Sequence, residues 1–81
     1  MTKNGKLKLV EIEWLDSKGV TNRWEILDDL EPLEPSRCRS VGFLLDESDD
    51  YKTLVQTLGC EQVLGRITIP TQSIVKQRRL R

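Results

Sequence analysis

Hydrophobic and polar residues alternate along much of this chain, with the period of two that half-buried β-strands show. The first such stretch carries Val10, Ile12 and Trp14 on its apolar side and predicts a strand over residues 7–15. A later stretch of clean alternation predicts a strand over residues 66–69. The pattern as a whole indicates an all-β chain.

A turn at Gly19 follows the first predicted strand, and glycine adopts positive φ there without steric cost. The alternation then resumes, so the pattern predicts a hairpin centred on this glycine. In that register Trp14 faces Trp24 and Ile12 faces Ile26 across an antiparallel ladder.

Two prolines, Pro32 and Pro35, disfavour any regular element after the hairpin. We expect a loop over residues 28–36, with Leu30 and Leu33 packed beneath it.

The most hydrophobic segment, residues 37–46, predicts another strand. Gly42 lies in its middle, which indicates a bulge, a sharp bend or the close passage of another backbone. We expect four large side chains in the core. An exposed tryptophan would instead be the best interaction anchor, because aromatic residues dominate binding hot spots. The four expected core residues are Trp14, Trp24, Val41 and Phe43.

The last third of the chain contains one ambiguous segment and one clear one. Residues 51–58 carry apolar side chains at helical spacing, but their Thr, Tyr and Val content favours a strand. Pro70 ends the strand before it, residues 71–73 form one tight turn, and a last strand runs from Ile74 toward Leu80. A proline, a short polar turn and a final strand are what a small barrel uses to close its sheet.

About five short antiparallel strands predict an open or closed small barrel of the SH3-like or Sm-like kind, with room for one short helix at residues 51–58. A length of 81 residues corresponds to one domain over residues 1–81. Residues 1–6 and 79–81 are expected to fray.

The chain has no histidine and two cysteines, which removes Ser-His-Asp triads, Cys-His dyads and imidazole metal sites. Cys38 and Cys60 fit two reduced thiols, with a single disulfide as the alternative. Ser40 and Cys38 are the candidate nucleophiles, and no base accompanies either. We therefore expect no enzyme, no cofactor, no bound metal and no small-molecule substrate.

No apolar run approaches the length of about 18 residues that a transmembrane helix needs. The basic N-terminal residues precede no apolar run of signal-peptide length. We expect a cytoplasmic protein without membrane contact.

Acidic and basic residues are equal in number, at 13 each, but they are unevenly distributed. Residues 11–50 hold 12 acidic and 4 basic residues, whereas residues 51–81 hold 6 basic residues and 1 acidic residue. Either opposite charges pair on neighbouring strands, or the basic ends form one anion-binding patch.

Several short motifs stand out along the chain: Trp14-Leu15-Asp16-Ser17, then Trp24, Ser40-Val41-Gly42-Phe43-Leu44-Leu45-Asp46-Glu47, Asp50-Tyr51 and Ile69-Pro70-x-x-x-Ile74-Val75-Lys76. Together they resemble a group of small phage and prophage proteins of unknown function. The resemblance covers about residues 9–80, and the string Ser-Val-Gly-Phe-Leu-Leu-x-Glu is its most specific part. It implies an origin in a mobile element, expression in a bacterial cell and an accessory role, and it brings no catalytic residues.

Two functions of different classes fit these patterns. The first is non-enzymatic protein binding. The partner would be a second copy of the chain or a host factor, for example a protein of the host's defence system. Its candidate contacts are the acidic residues Asp28, Asp29, Glu31, Glu34, Asp46, Asp49 and Asp50. The alternative is single-stranded nucleic-acid binding through the basic C-terminus, with candidate residues Lys76, Arg78, Arg79 and Arg81.

Overall fold

A computed structural model describes residues 7–81, which form one five-stranded antiparallel sheet. The all-β prediction is confirmed, and the described residues contain no α-helix. The expected fraying of residues 1–6 lies outside this range. The strands are β1 (Leu9–Asp16), β2 (Ser36–Glu47), β3 (Tyr51–Leu58), β4 (Val63–Pro70) and β5 (Ile74–Arg79), with 3₁₀ turns at Leu27–Asp29 and Thr71–Ser73.

The sheet has the strand order β4-β3-β2-β1-β5, so β1 lies between β2 and β5. The predicted hairpin at Gly19 is therefore wrong. Trp14 pairs with Cys38 instead of Trp24, and Ile12 pairs with Ser40 instead of Ile26. The physical reason is ladder length: every residue of β1 finds a partner in β2, whereas the prolines allow only a short strand after the turn.

The two edge strands, β4 and β5, are joined by only three residues, Thr71–Ser73. Three residues span about 10 Å, whereas the edge strands of a flat five-stranded sheet lie about 19 Å apart. The sheet must therefore bend strongly. Across the bend, Lys52 Nζ of β3 donates to Gln77 Oε1 of β5 at 2.6 Å.

The sheet stays open, because β4 and β5 do not pair with each other. The five antiparallel strands and the tight turn at residues 71–73 are as predicted, but a closed barrel is not formed. Residues 51–58 form a strand, which settles that ambiguity. The strand predicted over residues 66–69 begins earlier, at Val63.

The core lies on the concave side of this bend. It consists of five aliphatic side chains, against which Trp14 packs as expected. The core residues are Val10, Ile12, Leu44, Leu54 and Ile69.

Two residues expected in the core, Val41 and Phe43, lie on the opposite face of β2. The register pairs Val10 with Gly42, and side chains alternate between faces along a strand, so odd positions of β2 point away from the core. Val41 is 47% exposed, and Phe43 is half-buried opposite Val55. Hydrophobicity alone could not choose between the two faces, because both are apolar.

Gly42 is required by the close passage of β3. A Cβ atom at this position would lie 2.9 Å from the Val55 carbonyl oxygen and 3.2 Å from Leu54 Cβ. Of the predicted alternatives, the close backbone is the one observed. The irregularity in β2 occurs further along, between Leu44 and Asp46.

The chain end is hydrogen-bonded to β1, in contrast to the expected fraying at residues 79–81. The Leu80 N–H donates to the Leu9 carbonyl at 2.7 Å, and the Leu9 N–H donates to the Arg81 carbonyl at 3.0 Å. Both cysteines are free thiols.

Gly42→Ala is expected to destabilise the fold by about 1–3 kcal/mol, because the new methyl group would overlap the Val55 carbonyl oxygen. Urea unfolding measures the loss. Val41→Ala is the control, since its exposed side chain should cost about 0.5–1 kcal/mol. Equal unfolding midpoints for the two variants would contradict this packing.

Candidate protein interface

The most unusual feature of the molecule is the segment that joins β1 to β2, which we call the arm (residues 17–35). Every residue from 15 to 35 is exposed. Apart from a 3₁₀ turn at Leu27–Asp29, the arm has no regular structure. Leu30 and Leu33 are 51% and 58% exposed, so the expectation that they pack beneath the loop is wrong.

The arm displays large apolar side chains to solvent. Trp24, Val20 and Leu27 are 102%, 99% and 84% exposed, and Ile26 is 68% exposed. Burial of one such side chain stabilises a contact by about 1.5–3 kcal/mol, and monomers rarely expose contiguous apolar patches of more than a few hundred Å². Trp24, expected in the core, is thus the largest exposed apolar side chain of the described residues.

The arm is acidic as well as apolar. It contains five acidic and two basic residues, a net charge of −3. None of its carboxylates forms an ion pair with another residue in the described range 7–81. Four of the seven acidic candidates lie here, namely Asp28, Asp29, Glu31 and Glu34.

The other three acidic candidates, Asp46, Asp49 and Asp50, lie at the opposite end of β2. A strand of this length spans about 36 Å when extended. The turn between β2 and β3 is organised locally, because Ser48 Oγ accepts the N–H groups of Asp50 and Tyr51, each at 3.2 Å. The acidic candidates therefore form two separate groups.

Two of the three basic candidates on β5 face carboxylates of β1. Arg78 forms a salt bridge of 3.1 Å with Glu11, and Lys76 pairs in register with Glu13. Arg79 pairs with Val10 and so lies on the other face. Arg81 is exposed at the chain end. The four residues do not form one basic surface, and exposed ion pairs of this kind contribute about 0–1 kcal/mol each.

A groove of about 520 Å³ runs between β2 and β4, and sequence patterns did not reveal it. Its lining includes two arginines, Arg39 and Arg66, together with the apolar side chains of Val41 and Ile67. Val41 and Ile67 are 47% and 37% exposed. Only the register of three strands brings these residues together, so no local signal in the chain could have found the site.

Arg66 differs from the other arginine of the groove in its electrostatic environment. Arg39 Nε lies 3.7 Å from Glu11 Oε2, whereas Arg66 has no carboxylate within salt-bridge distance among residues 7–81. The groove therefore combines positive charge with a lining that is partly polar and partly apolar.

The candidate nucleophiles are occupied in structural hydrogen bonds. Trp14 Nε1 donates to Ser40 Oγ at 3.1 Å, and Cys38 Sγ lies 3.8 Å from the Ser36 carbonyl. Within the described range, no three His, Cys, Asp or Glu residues cluster as a metal site would require. None of the helical segments described here has the length and apolar character to cross a membrane.

The two tryptophans are expected to respond differently to truncation. Trp14→Ala should destabilise the fold by about 2–4 kcal/mol, because its ring packs on the core and its Nε1 donates to Ser40. Trp24→Ala should change the free energy of unfolding by less than about 0.5 kcal/mol, because its side chain is fully exposed to solvent. Urea unfolding at low protein concentration measures both, and a large loss in Trp24→Ala would contradict the exposed arm.

Comparison of the chain with family models, with curated proteins and with solved structures returns no match. The arm, the groove and their charges are therefore the features of this molecule that bear on its function.

Proposed function

We propose that this chain is a non-enzymatic accessory protein of the phage type, cytoplasmic in a bacterial cell, that acts by binding another protein through its arm. The single observation that carries the proposal is Trp24, whose side chain is wholly exposed within a segment of exposed apolar residues. The phage-type origin is supported by the sequence resemblance alone.

The composition of the arm supports a role in protein recognition. Tryptophan is enriched at binding hot spots, and one buried indole removes about 150–250 Å² from water. Flanking polar residues form the rim of most protein interfaces, and carboxylates follow both Leu27 and Leu30 in this segment. An arm that contributes no side chain to the core can evolve for a partner without loss of the fold.

The sheet holds the arm in place at both ends. The arm leaves β1 at Asp16 and re-enters the sheet at Ser36, and these two residues are paired in the ladder. The first and last parts of the arm also approach each other, because a Cβ atom on Gly19 would lie 3.6 Å from Leu33 Cδ2. Fixed ends lower the entropy lost on binding. The strand order and the 3₁₀ turn before β5 support an SH3-like architecture for this scaffold, as a likeness of fold that carries no function.

Site-specific photo-crosslinking in bacterial cells tests the proposal. Trp24→p-benzoylphenylalanine is expected to form a discrete protein adduct. The matched control is Tyr51→p-benzoylphenylalanine, an exposed aromatic position at the far end of β2, which should form none. Absence of any adduct at position 24, with the protein folded and abundant, would refute protein binding through the arm.

Nucleic-acid binding is the second candidate, because Arg66 and the basic residues of β5 are exposed. The ion pair of Arg78 with Glu11 and the placement of Arg79 on the other face weaken it. We expect no affinity for single-stranded DNA or RNA by fluorescence anisotropy at low salt. Binding that falls steeply as salt rises would instead favour this function, since phosphate contacts release counterions.

A further inference from the structure

We propose that the partner of the arm is a second copy of this chain, and that the arm of one copy docks in the groove between β2 and β4 of the other. This inference rests on the protein-binding function proposed above and names its partner. The docked segment is residues 24–34, which contain Trp24 and the 3₁₀ turn at Leu27–Asp29.

Charge complementarity is the first argument. Residues 25–34 contain five acidic residues and no basic one, whereas the lining of the groove contains two arginines and no acidic residue. Asp28 and Asp29 lie beside Leu27, so one short segment presents carboxylates next to an apolar side chain. Arg66 has no carboxylate partner among residues 7–81, which leaves its guanidinium available to them.

Apolar complementarity is the second argument. Exposed apolar side chains of the groove, Val41 and Ile67, lie next to its arginines. The arm alternates apolar and acidic residues in the same manner, with Trp24 and Leu27 as its most exposed large side chains in this segment. A volume of about 520 Å³ lies within the range of about 300–1,000 Å³ that binding clefts show.

The open edge of the sheet is the third argument. Among residues 7–81, β4 borders the groove and pairs with β3 alone. Its free edge faces away from β3 and lies outside the groove, so it offers backbone groups to the part of a docked segment that extends past the groove, which is a common mode of peptide recognition. Leu30 has an extended backbone, and residues 30–35 belong to no strand.

The elongated shape of the molecule supports a contact of the arm with a second copy and not with its own groove. A compact chain of this length has a radius of gyration of about 12 Å, whereas the observed value is 16.8 Å and the longest dimension is 56 Å. All arm residues are exposed, so the arm does not occupy its own groove. If each copy inserts its arm in the other, the two contacts are equivalent and close as a two-fold dimer.

Sedimentation velocity over a range of protein concentrations tests the inference with the whole chain. We expect a reversible monomer–dimer equilibrium. Trp24→Ala, in the arm, and Arg66→Glu, in the groove, should each raise the dimer dissociation constant by at least about tenfold. The matched control is Lys76→Glu, which makes the same charge change on an exposed residue of β5 and should change the dimer constant by less than about threefold.

Mixing variants identifies the two sides of the contact. The Trp24→Ala copy has an intact groove, and the Arg66→Glu copy has an intact arm, so an equimolar mixture recovers one contact per dimer. Because each substitution should disable the contact that it lies in, each homodimer keeps no contact and the mixed dimer keeps one, so the mixture should dimerise more tightly than either variant alone. A second mixture pairs Arg66→Glu with a copy carrying Asp28→Arg and Asp29→Arg, and should recover both contacts. Circular dichroism confirms that each variant is folded.

The outcomes separate this inference from the proposed function. A dimer that Trp24→Ala and Arg66→Glu leave intact, or mixtures that recover nothing, would overturn docking of the arm in the groove. A chain that stays monomeric while position 24 crosslinks to a different protein would overturn the second copy as partner and leave protein binding in place. A monomer without any crosslink would overturn both.

Discussion

The three-residue connection between β4 and β5 is the constraint on which the rest of the structure depends. It draws the two edges of a five-stranded sheet toward each other, so the sheet bends and encloses one small core of five aliphatic side chains. Within this sheet the backbone of β3 passes close to Gly42 of β2, and the absence of a side chain there permits that approach. The interior is filled by side chains, so binding is left to surfaces.

The molecule is divided into a sheet that carries the stability and an arm that carries none of the core. Glu11 and Glu13 on β1 are matched by arginines of the neighbouring strands. The carboxylates of the arm have no such partners in the described range. The zero net charge of the chain therefore results from an acidic arm and a basic remainder, and this separation of charge favours contact between an arm and a different sheet.

Apolar exposure and charge separation act together in the arm. Apolar area supplies most of the free energy of association, while charge sets orientation and excludes wrong partners. A segment with both properties is more selective than an apolar loop alone. Placement of Trp24 outside the core thus converts a residue that would stabilise the fold into one that can stabilise an assembly.

Local signals in the sequence determined most of the elements. The period of two at residues 9–15 and 66–69, the proline at residue 70 and the tight turn after it were readable because each depends on a few neighbouring residues. The close backbone at Gly42 was also among the alternatives that the pattern allowed. The all-β class followed from these features alone.

Tertiary structure decided which strands pair, which face of β2 is buried and that the arm lies outside the core. Pairing of β1 with β2, in place of a hairpin to Trp24, results from competition between a long ladder and a short one, and that comparison involves residues far apart in sequence. The exposure of Val41 and Trp24 to solvent followed from the resulting register. The groove of Arg39 and Arg66 exists only because three strands align, so its physical origin lies in the folded sheet and in no segment of the chain.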